Sequence, residues 1–241
     1  MIQLFSFLVG IVVGSFINVF IDRTIENKSL IYPPSACDNC HRKLKIYNLI
    51  PVLSYIFQRG RCSFCKSKIK IQYPIVEIVC GLIYLIVIYL IDNPLLGILL
   101  STFLSLLLGM SIIDIKTRSI YTKHLIILFI LSFPISLARY WIKFDLIIKT
   151  IFLIVIILLG YVLSIKNKAG FGDFILIAIL TMNMYFNEIS VFFINIGIIG
   201  LIIGITLIIK NKNIKYEIPF VPIISLSYFS TILLELLKIQ I

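Results

Sequence analysis

The chain has 241 residues, 60% of them hydrophobic and only 14% charged, with a mean hydropathy of +1.09. A water-soluble domain of this length needs far more polar surface, so most of the chain belongs in lipid. Its formal charge of +11 would suit nucleic acid, but the basic residues fall between apolar runs, the pattern by which membrane proteins fix their orientation.

A helix that crosses the hydrocarbon core takes roughly 20 apolar residues. In chain order the candidate runs are Ile2–Ile21, Ile75–Ile91, Leu95–Ile113, Ile120–Ala138, Leu146–Ile165, Phe174–Phe186, Ile189–Ile209 and Phe220–Leu237. The sixth is short and close to its neighbours, so a tight turn or a re-entrant segment fits there. The first lacks a basic leading stretch and a small-residue cleavage site, and is expected to be retained. The connections after runs one, three, five and seven, together with Lys123 at the start of run four, hold 18 of the 22 Lys and Arg residues. On the other side lie Arg139, Lys143, Lys149 and Lys238. This asymmetry predicts basic loops in the cytoplasm and both termini outside. The expected fold is all-α: a polytopic membrane protein with about eight transmembrane helices and a cytoplasmic zinc-binding loop. Its parts are a first helix (1–21), the loop (22–73) and a transmembrane domain (74–241).

The loop carries Cys37-Asp-Asn-Cys40 and Cys62-Ser-Phe-Cys65. Two such pairs let four thiolates converge on Zn²⁺, which accepts sulfur ligands in a tetrahedron. A loop of about 50 residues buries too little apolar area to fold alone, and a bound metal supplies the missing stability. A reducing cytoplasm favours metal over disulfide. Four thiolates leave no open position, which favours structural zinc over redox sensing or a loosely held metal. Cys80, within the second run, reads as a small buried apolar side chain. His41 and His124 have no second ligand at a metal-like spacing.

Aspartate inside or beside a lipid-spanning run is costly and calls for a reason. Asp114 closes the third run and Asp173 opens the sixth, within Gly170-Phe-Gly172-Asp173. The topology puts both at cytoplasmic helix ends. Two carboxylates brought together share one proton, leaving one free to activate a water for peptide hydrolysis. Gly170 and Gly172 let backbone approach a substrate closely. Asp22, Asp92, Asp145, Glu188, Glu217 and Glu235 stand at other run ends and read as interfacial groups. Glu77, about one turn inside the second run, has three readings: pairing with a loop arginine, binding substrate, or snorkelling to the interface.

These residues resemble the bacterial type IV prepilin peptidases, including those that process competence pseudopilins. The resemblance rests on Gly14-Ser-Phe-Ile-Asn18-Val19, the two cysteine pairs, Asn48-Leu-Ile-Pro51, Arg59-Gly60-Arg61-Cys62, Tyr73-Pro74-Ile-Val-Glu77, Asp114 and the Gly170–Asp173 motif, in family order. It covers most of residues 10–180. It implies an aspartic endopeptidase that cuts prepilin or pseudopilin leaders after a glycine, with Asp114 and Asp173 catalytic and residues 74–241 the peptidase domain. It also implies zinc on Cys37, Cys40, Cys62 and Cys65. The new N-terminus would be methylated with S-adenosylmethionine in the cysteine-bearing region, where Gly60 is a candidate. Two positions depart from the family pattern: Ile120-Tyr121-Thr122 stands where Ile-Pro-Asp or Ile-Pro-Asn is common, and Ile175 where Lys is common. Other readings of the acids and cysteines are a membrane transporter with a proton relay, a non-enzymatic assembly factor with a zinc docking loop, and a GxGD protease for other membrane stubs.

Overall fold

A computed structural model describes residues 2–139, 143–165, 170–211 and 218–239 of the chain. Lys166, Lys168, Lys212 and Lys215, counted among the cytoplasmic bases, and Glu217 lie outside these residues. The described residues are helical throughout their ordered elements: α1 (Ile2–Ile25), a 3₁₀ turn (Ile46–Leu49), α2 (Leu53–Phe57), α3 (Gln72–Leu90), α4 (Pro94–Thr117), α5 (Thr122–Arg139), α6 (Lys143–Ile165), α7 (Phe171–Thr181), α8 (Phe186–Asn211) and α9 (Val221–Ile239). By length and composition, six of them can cross a membrane: α1, α3, α4, α5, α8 and α9. The chain divides into two compact units, Met1–Ser105 and Leu106–Ile241, with the division inside α4.

In the first unit α1 packs on α3. Association in lipid depends on close backbone approach at small residues, and Gly10-Ile-Val-Val-Gly14 supplies it. A Cβ on Gly10 would lie 2.6 Å from the Cys80 carbonyl, and one on Gly14 2.6 Å from Glu77 Cα. Cys80 is fully buried at this contact. Polar glue adds to the packing, with the hydroxyls of Tyr84 and Thr102 2.7 Å apart.

In the second unit α7 packs against α5, α6 and α9, and α8 against α9. Asn195 Nδ2 on α8 donates to Ser230 Oγ at 3.2 Å and Thr231 Oγ1 at 3.0 Å on α9. Such interhelical bonds are typical where no water competes for them.

The eight long or apolar helices follow the expected runs, with one clear shift. The sixth is α7, Phe171–Thr181, rather than Phe174–Phe186. Its 11 residues span roughly 16 Å, about half the hydrocarbon core of ~30 Å. A turn follows it, and α8 starts at Phe186 rather than Ile189. The cause is tertiary. Arg139 Nη1 donates to the Asn183 carbonyl at 2.8 Å, and Glu188 Oε2 accepts the Tyr185 backbone NH at 2.8 Å. Glu188, read as an ordinary interfacial group, is engaged within the protein: it forms a 2.7 Å ion pair with Arg139, with 1% and 9% of their side chains exposed.

Candidate zinc knuckles, cavity and aspartate pair

The cysteine loop is one motif written twice, 25 residues apart. Cys37 NH donates to the Arg42 carbonyl and Cys62 NH to the Ser67 carbonyl; His41 NH returns to Cys37 and Lys66 NH to Cys62. Leu44 NH to Ser35 and Ile69 NH to Gly60 close each ladder, around the bridges Ala36↔Lys43 and Arg61↔Lys68. His41 (φ 55°) and Lys66 (φ 60°) take the left-handed turn at equivalent points. Each knuckle thus presents its two sulfurs inward. All four Sγ atoms lie within 4.8 Å of one another, and Cys37 Sγ is 3.8 Å from Cys65 Sγ. A tetrahedron with Zn–S bonds of ~2.3 Å has edges of about 3.8 Å, so the cluster fits a zinc ion. Ser67, through its hydroxyl and its backbone NH, holds the Cys65 thiol down to about 6, towards the thiolate that binds metal. His41 is exposed and outside the cluster.

Below the knuckles the loop is tied to its flanking helices. Tyr73 Oη donates to Asp22 at 2.7 Å, Asn18 Nδ2 donates to the Tyr73 carbonyl at 3.0 Å, and Lys70 pairs with Asp38 at 3.0 Å. Glu77 is buried and accepts a 2.7 Å hydrogen bond from the Val52 backbone NH. Its partner is therefore loop backbone rather than a loop arginine. These ties surround a cavity of about 570 Å³ lined by Asn18, Asp22, Asn48, Tyr55, Tyr73 and Glu77 among others. Asn18 Oδ1 and Asn48 Nδ2 are buried there with no hydrogen-bond partner among the described residues. Gly60 stands behind Tyr55: it has φ 66°, and a Cβ on it would lie 2.9 Å from Tyr55 Oη. Only glycine meets both demands without strain.

In the second unit Asp114 sits in the last turn of α4 and is buried, 5% exposed. Its Oδ2 accepts a 3.1 Å hydrogen bond from the Val221 backbone NH. Val221 opens α9, so the positive end of that helix dipole faces the carboxylate. Asp173 lies in the first turn of α7 and is half-buried. Asp173 lies within electrostatic reach of Asp114. The two glycines keep this corner clear: a Cβ on Gly170 would lie 3.0 Å from Asp173 Oδ2, and one on Gly172 3.2 Å from Ile120 Cβ. The Val221 donor escaped the sequence reading, because a backbone NH carries no residue signature.

A helical membrane protein with a tetracysteine loop and an aspartate on each of α4 and α7 fits one class, the polytopic membrane aspartic endopeptidases. Comparison with known proteins agrees. Residues 8–91 match the profile described as the bacterial peptidase A24 N-terminal domain, and residues 101–205 match that of the type IV leader peptidase family. The prepilin leader peptidase/N-methyltransferase of Pseudomonas putida is 24% identical over 252 residues, 93% of this chain and 88% of the relative. The type 4 prepilin-like proteins leader peptide-processing enzyme of Escherichia coli is 26% identical, covering 95% of this chain and 92% of the relative. A prepilin leader peptidase/N-methyltransferase of Myxococcus xanthus is 41% identical over 80 residues, 33% of this chain and 24% of the relative. No solved structure is significantly similar. The chain belongs to the bacterial type IV prepilin leader peptidase family, whose members are aspartic endopeptidases.

Proposed function

We propose that this protein removes the leaders of type IV prepilins or pseudopilins by cutting after the leader's last glycine at the cytoplasmic face of the cytoplasmic membrane, with Asp114 and Asp173 as its acid pair. The observation that supports this is that two carboxylates from different helices, α4 and α7, one buried and one half-buried, stand in one unit with Asp173 within electrostatic reach of Asp114. Such a pair holds one proton between two acids. The ionised member takes a proton from a water whose oxygen bonds to the scissile carbonyl carbon. The protonated member gives its proton to the departing nitrogen as the C–N bond breaks, leaving a leader carboxylate and a new amine. In the proposed topology both termini lie outside, so the basic leader stays in the cytoplasm while its apolar stem lies in the bilayer.

The relatives' names join leader peptidase to N-methyltransferase, and we extend the second activity to the cavity of the first unit. S-adenosylmethionine, when bound, supplies the methyl group. A volume of about 570 Å³ suits a ligand of that size. Asn18 and Asn48, which line the cavity, offer it an amide acceptor and an amide donor. Glu77 and Asp22 line the same space, and a cationic sulfonium or amine is the charge that they stabilise. Gly60 acts behind Tyr55, as a residue that shapes the wall.

The test is processing of a precursor with a Gly-Phe junction by membranes holding the wild type, Asp114→Asn or Asp173→Asn. Cleavage at the junction should fall by about 10²- to 10⁴-fold in each variant. Mass spectrometry of the wild-type product's N-terminus reads the methyl group. Variants that still cut at the wild-type rate would remove both aspartates from the mechanism.

A further inference from the structure

Residues 43–61 present an apolar surface that neither the peptidase nor the methyl-transfer reading uses. Ile46, Tyr47 and Ile50 of the 3₁₀ turn region and Leu53, Ile56 and Phe57 of α2 are all exposed, Ile46 by 86% and Phe57 by 81%. Soluble loops do not leave so many large apolar side chains together in water without a partner. The segment contains no acidic residue, and it is bracketed by the exposed bases Lys43 and Lys45 on one side and Arg59 and Arg61 on the other.

Its depth is fixed by a bond. Val52, between the 3₁₀ turn and α2, donates its NH to Glu77 at 2.7 Å. Glu77 is five residues into α3, which starts at Gln72, and so lies about 7.5 Å along the helix from its start. Val52 holds φ 60°, a conformation that a β-branched residue adopts only under constraint. The loop is thus drawn down along a membrane-spanning helix, not projected away from it. Beside the first turns of a membrane-spanning helix, exposed apolar side chains suit the boundary between lipid headgroups and acyl chains. An apolar face rimmed with Lys and Arg is the pattern by which peripheral segments bind anionic leaflets, the bases reaching up to phosphate while the stems stay buried.

We infer that the segment 43–61 is an interfacial wedge: its apolar side chains insert into the cytoplasmic leaflet beside α3, pinned there by Glu77, while Lys43, Lys45, Arg59 and Arg61 contact anionic headgroups. The occupant of the surface is the lipid of the membrane that the chain itself spans. A consequence is that the knuckles and the cavity are held at a set height above the bilayer, independent of any substrate.

The test uses the full chain in phosphatidylcholine vesicles containing phosphatidylglycerol. The single tryptophan is removed by Trp141→Phe and a reporter is introduced by Phe57→Trp. Lipid brominated high on the acyl chain should quench the reporter at least twofold, with blue-shifted emission and little quenching by aqueous acrylamide. Emission typical of water, quenched by acrylamide and not by brominated lipid, overturns the proposal. So does protection that arises only when a precursor protein is added, since the surface would then belong to substrate. If Phe57→Trp fails to fold, Ile46→Trp makes the same measurement from the 3₁₀ turn. Neither readout depends on cleavage, so the outcome stands apart from the peptidase assignment.

Discussion

The backbone NH of Val221 donates to Asp114 Oδ2 at 3.1 Å, so the first residue of α9 fixes one oxygen of a buried carboxylate on α4. A hydrogen bond to a charged group contributes about 1.5–3 kcal/mol. Proline is tolerated at the first position of a helix and lacks the donor. Val221→Pro should therefore keep the fold and reduce kcat for leader cleavage by roughly 10-fold or more. Precursor cleavage rates, set beside thermal melting in detergent, check this; an unchanged rate with an unchanged Tm would show that the donor is idle.

Gly160 of α6 is a second support for the site. A Cβ there would lie 2.5 Å from Phe174 Cβ, and Phe174 is the neighbour of Asp173. Overpacking of this kind costs about 1–3 kcal/mol, here at the start of the helix that carries an acid of the pair. Gly160→Ala should lower cleavage several-fold, and Phe174→Ala in the same chain should restore part of it by making room. Restoration by the double variant would locate the defect in this contact.

The membrane helices were legible because lipid demands long continuous apolar runs, and such runs survive any tertiary detail. The C-terminal end of α7 was not, because it is set by Arg139 and Glu188, partners separated by 49 residues. The two cysteine pairs were plain from spacing. Their construction as one repeated ladder was legible too, since residues 37–46 and 62–71 share both cysteines, Lys43/Lys68, Lys45/Lys70 and Ile46/Ile71 at the same spacing, whereas the hydrogen bonds that close each ladder were not. Glu77 could not be assigned for the same reason that Val221 was missed: in each pair the donor is a backbone NH, Val52 for Glu77 and Val221 for Asp114.

The duplicated knuckle makes a prediction about metal. Each half supplies two sulfurs to one cluster, so purified protein should carry about one Zn per chain. Chelation, or Cys37→Ser, should open residues 26–71 to proteolysis while far-UV circular dichroism of the helices hardly changes. A metal-free chain whose loop resists protease as well as the wild type would overturn the zinc assignment.

The Arg139–Glu188 pair tests how α7 is held at the end remote from Asp173. Arg139 bonds both the Asn183 carbonyl and Glu188, and stacks over the Tyr185 ring at 5.3 Å, so it grips the turn that stops α7 after 11 residues. Removing one member strands a charge out of water and costs about 3–5 kcal/mol, whereas replacing both by apolar residues can be nearly neutral. Arg139→Met should lower the Tm in detergent sharply, and Arg139→Met with Glu188→Leu should recover most of it. Cleavage need not recover in step. The double variant restores burial but leaves the Tyr185 NH and the Asn183 carbonyl without the groups that bond them in the wild type. If α7 needs that fixed end to hold Asp173 against Asp114, the double variant will be stable and slow; full activity would show that packing alone positions the helix.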